Sequence, residues 1–326
     1  MPIKRLLQKG LAKLFSTTVQ RGTEPLLSKI AAAQGEIASL QVRSLETIRS
    51  LADVEFSISS QWGEDGIIEW LVHHYGPMPE SFVEFGVESY REANTRFLLK
   101  HRNWSGLIID GSADNIAIAR SDEISWRYDL KAKAAFITAD NINALIGDSG
   151  FSGELGILSV DIDGNDYWVW DAINCVKPHI VIAEYNAVFG DKLPLSVPYD
   201  ASFMRGKAHY SNLYYGASIA ALTQLAEKKG YILMGSNSAG SNAFFVRRDR
   251  AALFEHRIAD KAPRVSRFRE SRAPDGTLTM KSGAERLKEI AALPVANTES
   301  GVVAPLSSFG PLYSERWLAC MRGQEN

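Results

Sequence analysis

The chain has 326 residues, 45% of them hydrophobic and 23% charged, the balance of an ordinary folded globular protein. With 36 Lys+Arg against 38 Asp+Glu the net charge is −2, which argues against a polyanion binder, nucleic acid included. The two cysteines, Cys175 and Cys320, show no CxxC or CxxH spacing, and no run of about 18 apolar residues occurs, so a zinc module, a disulfide framework and a membrane span are all excluded and a cytoplasmic setting is expected.

The first element expected is a basic amphipathic helix. Ile3, Leu6, Leu7, Leu11, Leu14 and Phe15 recur at helical spacing among Lys4, Arg5, Lys9 and Lys13, and residues 1–22 hold five basic residues and no acid. Such a helix can lie on an anionic membrane, here the inner face, or pack on its own domain or a partner subunit. Residues 26–52 follow as a second helical stretch, with Leu26, Leu27, Ile30, Ile37, Leu40, Leu45, Ile48 and Leu51 mostly three, four or seven apart. The pattern is too irregular for a coiled coil, so a packed helix or a homo-oligomer contact is expected there. The N-terminal segment is thus 1–56, followed by an α/β domain over 57–249 and a basic extension over 250–326.

From residue 82 short β-type runs alternate with helical stretches. Strands are predicted at 82–85, 107–110, 135–138, 157–161 and 179–184, and two more at 231–234 and 243–246 around a Gly/Ser/Asn turn. A helix over 217–229 is closed by Gly230 with lysines in its last turn. Near-continuous apolar strands belong in a parallel sheet covered on both faces, so the fold class is a doubly wound, mostly parallel Rossmann-like sheet with an antiparallel edge hairpin. Open sheets of this kind bind ligands beyond the carboxyl ends of their strands. Glu84, Asp110, Asp161 and Glu184 all end strands and share that edge.

Glu84-Phe85-Gly86 offers a sharp turn after the first strand, but neither GxGxxG nor GK[ST] is present, so a phosphate cradle is not expected there. Asp110, about 25 residues on, can accept hydrogen bonds from a ribose. A glycine turn with that acid suits a nucleoside without a phosphate cluster, such as S-adenosylmethionine. Farther on, Asp161-Ile162-Asp163-Gly164-Asn165-Asp166 and Glu184-Tyr185-Asn186 end neighbouring strands. Asp161, Glu184 and Asn186 form a candidate set of hard oxygen ligands for Mg²⁺ or Mn²⁺. The alternative is a set of turn acids that cap the next helix and bind substrate. A calcium loop is excluded, because Ala172 stands where an EF-hand has its twelfth-position glutamate.

In order and spacing, Ser60-Gln61-Trp62-Gly63-Glu64-Asp65, Phe82–Gly86, Asn94-Thr95, Trp104–Asp110, Leu158–Asp166 and Glu184-Tyr185-Asn186 resemble the FkbM-type methyltransferases over roughly residues 57–249. The resemblance implies a class I S-adenosylmethionine-dependent O-methyltransferase acting on sugars, glycans or glycosylated metabolites. It implies that Glu84 and Gly86 cradle the methionine part, Asp110 holds the ribose and Asp140 faces the adenine. It also implies that Gln61, Glu64 and Asp65 form a lid. The chain departs from the family pattern at Glu88-Ser89-Tyr90, where the second glycine is missing, and at Asp163 and Asp166, where glutamates are usual.

A sugar hydroxyl is a poor nucleophile and needs a general base within hydrogen-bond reach or a Lewis-acid ion. Asp161, Asp163 and His209 are the candidate bases; a lone histidine such as His209 is more often structural. Residues 247–272 carry nine Arg/Lys against four acids, a surface for a lipid-linked or phosphorylated acceptor or simply a solvated arm. One helix, 284–292, and an aromatic tail are expected beyond. Two other classes stay open: a nicotinamide-dependent sugar oxidoreductase and a catalytically silent Rossmann-like binding module.

Overall fold

A computed structural model describes residues 26–323; the basic helix expected over 1–22 lies outside them. Seven strands form the main sheet: β1 (Ser81–Phe85), β2 (Ser105–Asp110), β3 (Leu130–Ala134), β4 (Gly153–Val160), β5 (Val176–Glu184), then, after the two-residue β6 (Leu195–Ser196), β7 (Tyr231–Ser236) and β8 (Asn242–Arg247). Their order is β3-β2-β1-β4-β5-β8-β7. The first five are parallel, and β8 runs antiparallel to both β5 and β7. This is the doubly wound sheet with an antiparallel edge hairpin. The strand order reverses between β1 and β4, so the ends of these strands open a crevice at the point where chain connections part to either side.

Strand alternation distributes the core over two faces. Val83 and Phe85 join Leu107, Leu158, Val181 and Trp170 on one face. Phe82 joins Ile108, Ile157, Ile180, Trp70 and Leu71 on the other, and all of these are buried. The helix Glu64–Tyr75 supplies Trp70 and Leu71. The helix Ile219–Lys229 is capped at its start by Ser218, whose hydroxyl accepts from the Ala221 amide. It ends on Gly230 in the left-handed conformation, as its sequence predicts.

Three expectations are corrected. The third strand is Leu130–Ala134, not 135–138. It lies at the sheet edge, where Lys131 and Lys133 are tolerated because one side carries no neighbour, so its hydrophobic signal is weak. The more apolar Ala135–Thr138 is the loop beyond it, and Ile137 turns inward to the core. The stretch 26–52 is not one helix: it is helical over 26–43, turns, and re-forms as a short 3₁₀ segment at Leu51–Val54. Leu26, Leu27, Ile30, Ile37 and Leu40 of that first helix are exposed, while Ile48 and Leu51 enter the core.

The segment beyond residue 250 is more structured than one helix and a tail. Besides Ala284–Ile290 it forms β9 (Pro294–Asn297), β10 (Val303–Pro305) and the helix Glu315–Met321. β6, β9 and β10 make a small antiparallel sheet, so the extension is joined to the α/β core by backbone pairing. Trp317 is buried in the main core. Among the described residues no helix is long and apolar enough to cross a membrane.

Candidate active site

The loops after β1 and β4 meet at Gly86. A Cβ there would stand 1.7 Å from the Asp161 carbonyl oxygen, and the residue has φ +65°, so only glycine closes this contact. Gly86 therefore locks two ligand-facing loops together. Glu84 lies just beneath, on the face opposite Val83. It accepts from the amides of Asn94 (2.8 Å) and Thr95 (3.1 Å) and from the Thr95 hydroxyl. Burial pushes its pKa up to about 7 against the lowering effect of these donors. Glu84 thus fixes the loop that enters the helix Arg96–Arg102, with its carboxylate oriented by protein donors.

Asp110 sits at the end of β2 and lines the crevice. One carboxylate oxygen accepts from the Glu88 amide at 2.8 Å and the other from the Ser112 amide at 2.7 Å. The second oxygen also accepts from the Asn115 side-chain amide at 3.4 Å, so the oxygen that meets Glu88 is the one that keeps a further lone pair for a ligand. Asp110 also holds the Gly86–Tyr90 turn, where Glu88 and Tyr90 adopt positive φ, so the turn forms without the second glycine of the resembled family.

The acidic loop after β4 is built by Asp166. Its two oxygens accept from the amides of Ile162 (2.8 Å) and Gly164 (3.0 Å), which folds the loop back on the start of the helix Asp166–Ala172. Gly164 is required by contact: a Cβ would lie 2.2 Å from the Phe203 ring. Donor oxygens of Asp161, Asp166 and Glu184 all lie within 4.8 Å of one another. Burial raises the pKa of Asp161 and Glu184 well above the usual range; the charges of Asp163 and Asp166 add to it at Asp161, and those of Asp161 and Asp163 add to it at Glu184, while a hydrogen bond from Glu184 works against the rise at Asp161. Asp166 rises to about 6, chiefly by burial.

One cation answers these acids. Arg205, which the sequence did not single out, pairs with Asp163 and lies 3.8 Å above the Tyr215 ring. Its Nε donates to the Asn212 carbonyl at 2.9 Å. Burial opposes its charge, but Tyr215, Glu184 and Asp163 hold its pKa above normal. The only sequence signal for it was the isolated Arg-Gly-Lys of residues 205–207.

Glu64 closes the far wall. Its Oε1 accepts from the side-chain amides of Asn237 (2.7 Å) and Asn242 (2.9 Å), which ties the start of the helix Glu64–Tyr75 to the β7–β8 turn. Asn237 in turn accepts from the amides of Gly240, Ser241 and Asn242. Asp65 does not line the cleft: it is buried and accepts from the amides of Ile58, Ser59 and Ser60. Gln61 and the half-exposed Trp62 are the members of this box that overhang the crevice with Glu64.

Together these walls enclose a cleft of about 1080 Å³. Glu84, Gly86, Asp110, Asp161, Asp163 and Glu184 all line it. Phe136 and Ile137 flank its β2 side, and Phe203, Phe268 and Met280 cover the acidic floor. The last two belong to the C-terminal extension, which walls the cleft without filling it. Three sequence candidates stand elsewhere. Asn186 is fully buried, donates to the carbonyls of Leu213 and Tyr215 at 2.9 Å and accepts from the Val188 amide. It caps a 3₁₀ turn because the chain leaves the strand at Glu184, which breaks the alternation that placed Asn186 beside it. Asp140 is exposed in the loop beyond β3 and does not line the cleft, a consequence of that strand's earlier end. His209 also lies off the cleft, with Nδ1 2.7 Å from the Ser211 hydroxyl and its ring tilted on Tyr210.

Four buried polar atoms on the cleft have no protein partner: Glu184 Oε2, Asn165 Oδ1, Asn242 Oδ1 and Arg205 Nη2. Buried polar groups are rarely left so, and each unmet one costs about 1–3 kcal/mol. The arrangement offers three acceptors and one donor to a guest. The donor set Asp161, Asp166 and Glu184 is also all hard oxygen and fits Mg²⁺ or Mn²⁺.

The chain matches no protein-family model and no curated protein. It is similar to several solved structures at low identity. One is the N-terminal domain of EvdMO1 with SAH bound (10% identity, 56% of this chain and 79% of that chain, TM-score 0.37). Another is an S-adenosylmethionine-dependent methyltransferase from Clostridium acetobutylicum ATCC 824 (9% identity, 56% and 90%, TM-score 0.35). A third is PKMT2 from Rickettsia typhi in complex with AdoHcy (8% identity, 53% and 50%, TM-score 0.35). Likenesses this faint say nothing about substrate or chemistry, which rest on the cleft's own side chains.

Proposed function

We propose that this protein is an S-adenosylmethionine-dependent O-methyltransferase that methylates a hydroxyl of a sugar, glycan or glycosylated metabolite. The observation that carries the reading is the set of four unpartnered buried atoms beside the neighbouring acids Asp161 and Glu184. A polyol matches it, since each hydroxyl can give one hydrogen bond and take others. The methyl donor takes the β1–β2 side, with Asp110 accepting from the ribose and Phe136 and Ile137 beside the adenine. Gly86, by closing the β1 loop on the β4 loop, shapes the wall against which the methionine part lies.

Transfer needs an oxygen aligned with the methyl carbon and stripped of its proton. The acceptor hydroxyl gives its proton to the Asp161–Glu184 pair, whose proton affinity burial raises above that of an ordinary carboxylate. A new O–C bond forms as the S–C bond of the sulfonium breaks, and sulfur keeps that electron pair. Arg205 offsets the negative charge of the acids and orients the acceptor through Nη2. A divalent ion, where one binds, would be held by Asp161, Asp166 and Glu184 and would lower the hydroxyl's pKa.

Calorimetry of the full chain with S-adenosylmethionine and with NAD tests the reading. Binding of the sulfonium alone, followed by transfer of a labelled methyl group to an oligosaccharide, is expected. Binding of NAD alone would make the protein an oxidoreductase, and binding of neither would make it a silent module.

A further inference from the structure

A second, smaller cavity of about 200 Å³ lies between the start of the 3₁₀ turn at Ala187–Phe189, the strap 264–267 and the helices Ala284–Ile290 and Glu315–Met321. Three arginines line it, Arg264, Arg267 and Arg286, together with Ser266 and Ser282. Among the described residues, no carboxylate lines it.

Arg286 is the decisive group. It is only 4% exposed and, among the described residues, its Nε is buried with no partner and it makes no salt bridge. Its one contact of note is with the Phe268 ring, 5.3 Å away. The charged groups that act on it are Tyr215, Arg205 and Tyr313, with no carboxylate among them, and the acids paired with the neighbouring arginines are engaged there. Asp163 pairs with Arg205, and Asp260 lies 3.6 Å from Arg264 and also meets Arg316. A buried charge without a counterion is costly and is ordinarily paired. Arg267, by contrast, is exposed at the mouth, where it can meet an incoming anion.

We propose that this cavity is a binding site for a phosphoryl group, with Arg286 as its buried anchor and Arg264 and Arg267 closing on the same anion. Guanidinium forks match the tetrahedral oxygens of a phosphate, and three of them suit a dianion better than a single carboxylate. The cavity accommodates one such group. Phe268 marks where it adjoins the acidic cleft, since Phe268 lines that cleft while its ring lies against Arg286. The phosphoryl group can therefore be free phosphate or the terminal group of an acceptor whose sugar enters the cleft. The site itself does not depend on methyl transfer.

The test is calorimetry of the full chain with inorganic phosphate, glucose 6-phosphate and glucose at constant chloride. Saturable binding of one phosphate per chain is expected, weakened about tenfold or more in Arg286→Met and severalfold in Arg267→Gln. Glucose 6-phosphate bound more tightly than inorganic phosphate would identify an acceptor-borne group, and equal affinity would identify free phosphate. No saturable phosphate binding, or affinity unchanged in the variants, would overturn the site. Should Arg286→Met fail to fold, the Arg267→Gln result decides alone. S-adenosylmethionine titrated in parallel keeps the two readings apart: phosphate failing while the sulfonium binds sinks only this site.

Discussion

Glu184 and Asn242 stand opposite each other across the β5–β8 pair, and each holds out one buried oxygen, Oε2 and Oδ1, that no protein donor meets. Asn242 spends its amide nitrogen on Glu64, and Glu184 shares its surroundings with Asp161. The pair is therefore held from behind while two of its oxygens stay buried without a protein partner.

Glu184→Gln keeps the shape of this wall but removes its charge and its proton affinity. Turnover should fall by about 10²–10⁴, the usual contribution of a general base. Binding of S-adenosylmethionine should be unchanged, because the methyl donor occupies the other side of the cleft. Single-turnover transfer of a labelled methyl group, with calorimetry beside it, separates the two. A variant turning over at the normal rate would remove Glu184 from the reaction.

Asp110→Ala should weaken S-adenosylmethionine binding by about 1–3 kcal/mol. Part of that loss comes from the Gly86–Tyr90 turn, since Asp110 also secures the Glu88 amide. Asp110→Asn keeps one acceptor for that amide and should recover part of the affinity. Equal affinity in wild type and Asp110→Ala, read by calorimetry, would clear Asp110 of the ribose role.

Stability should carry the signature of Glu84. Its pKa of about 7 in the folded chain lies above the ordinary 4.5, so the folded state binds this proton more tightly than the unfolded state. The stabilisation it gives is full below pH 4.5 and is lost as the pH rises toward 7. The stability difference between wild type and Glu84→Gln should therefore move by about 3 kcal/mol over that range, in favour of wild type at the acid end. Urea unfolding at several pH values measures it. A difference that stays flat with pH would mean that Glu84 is already ionised throughout.

The ion reading has its own measurement. Manganese titrated into chelator-treated protein should bind once per chain, and Asp161→Asn should abolish that binding. Absence of manganese heat in the wild type would leave the carboxylates as proton acceptors only.

Much of the sheet was legible because its strands are apolar runs with acids at their ends: Phe82–Phe85, Leu107–Asp110 and Ile180–Glu184 all lie within the observed strands. The third strand was not, because an edge position lets lysine alternate with alanine and hides the usual signal. Of the site, the acids that end strands were visible, since topology alone brings those ends together. Asn186 was misplaced because alternation holds only while the strand lasts, and the chain turns after Glu184. Arg205 was invisible for a different reason. It arrives from a four-residue helix whose position depends on tertiary packing around Phe203 and Gly164, which no local pattern encodes.

The grip of Glu64 on Asn237 and Asn242 spans 173 and 178 positions of sequence. Contacts so distant along the chain close late, after the intervening segments have found their own places. As the polypeptide emerges during synthesis, the early strands can pair before residue 242 exists, yet the pocket's far side cannot. The binding cavity is thus a product of the finished chain, and a protein cut short before the β7–β8 hairpin would retain much of the sheet with nothing to hold a guest against it.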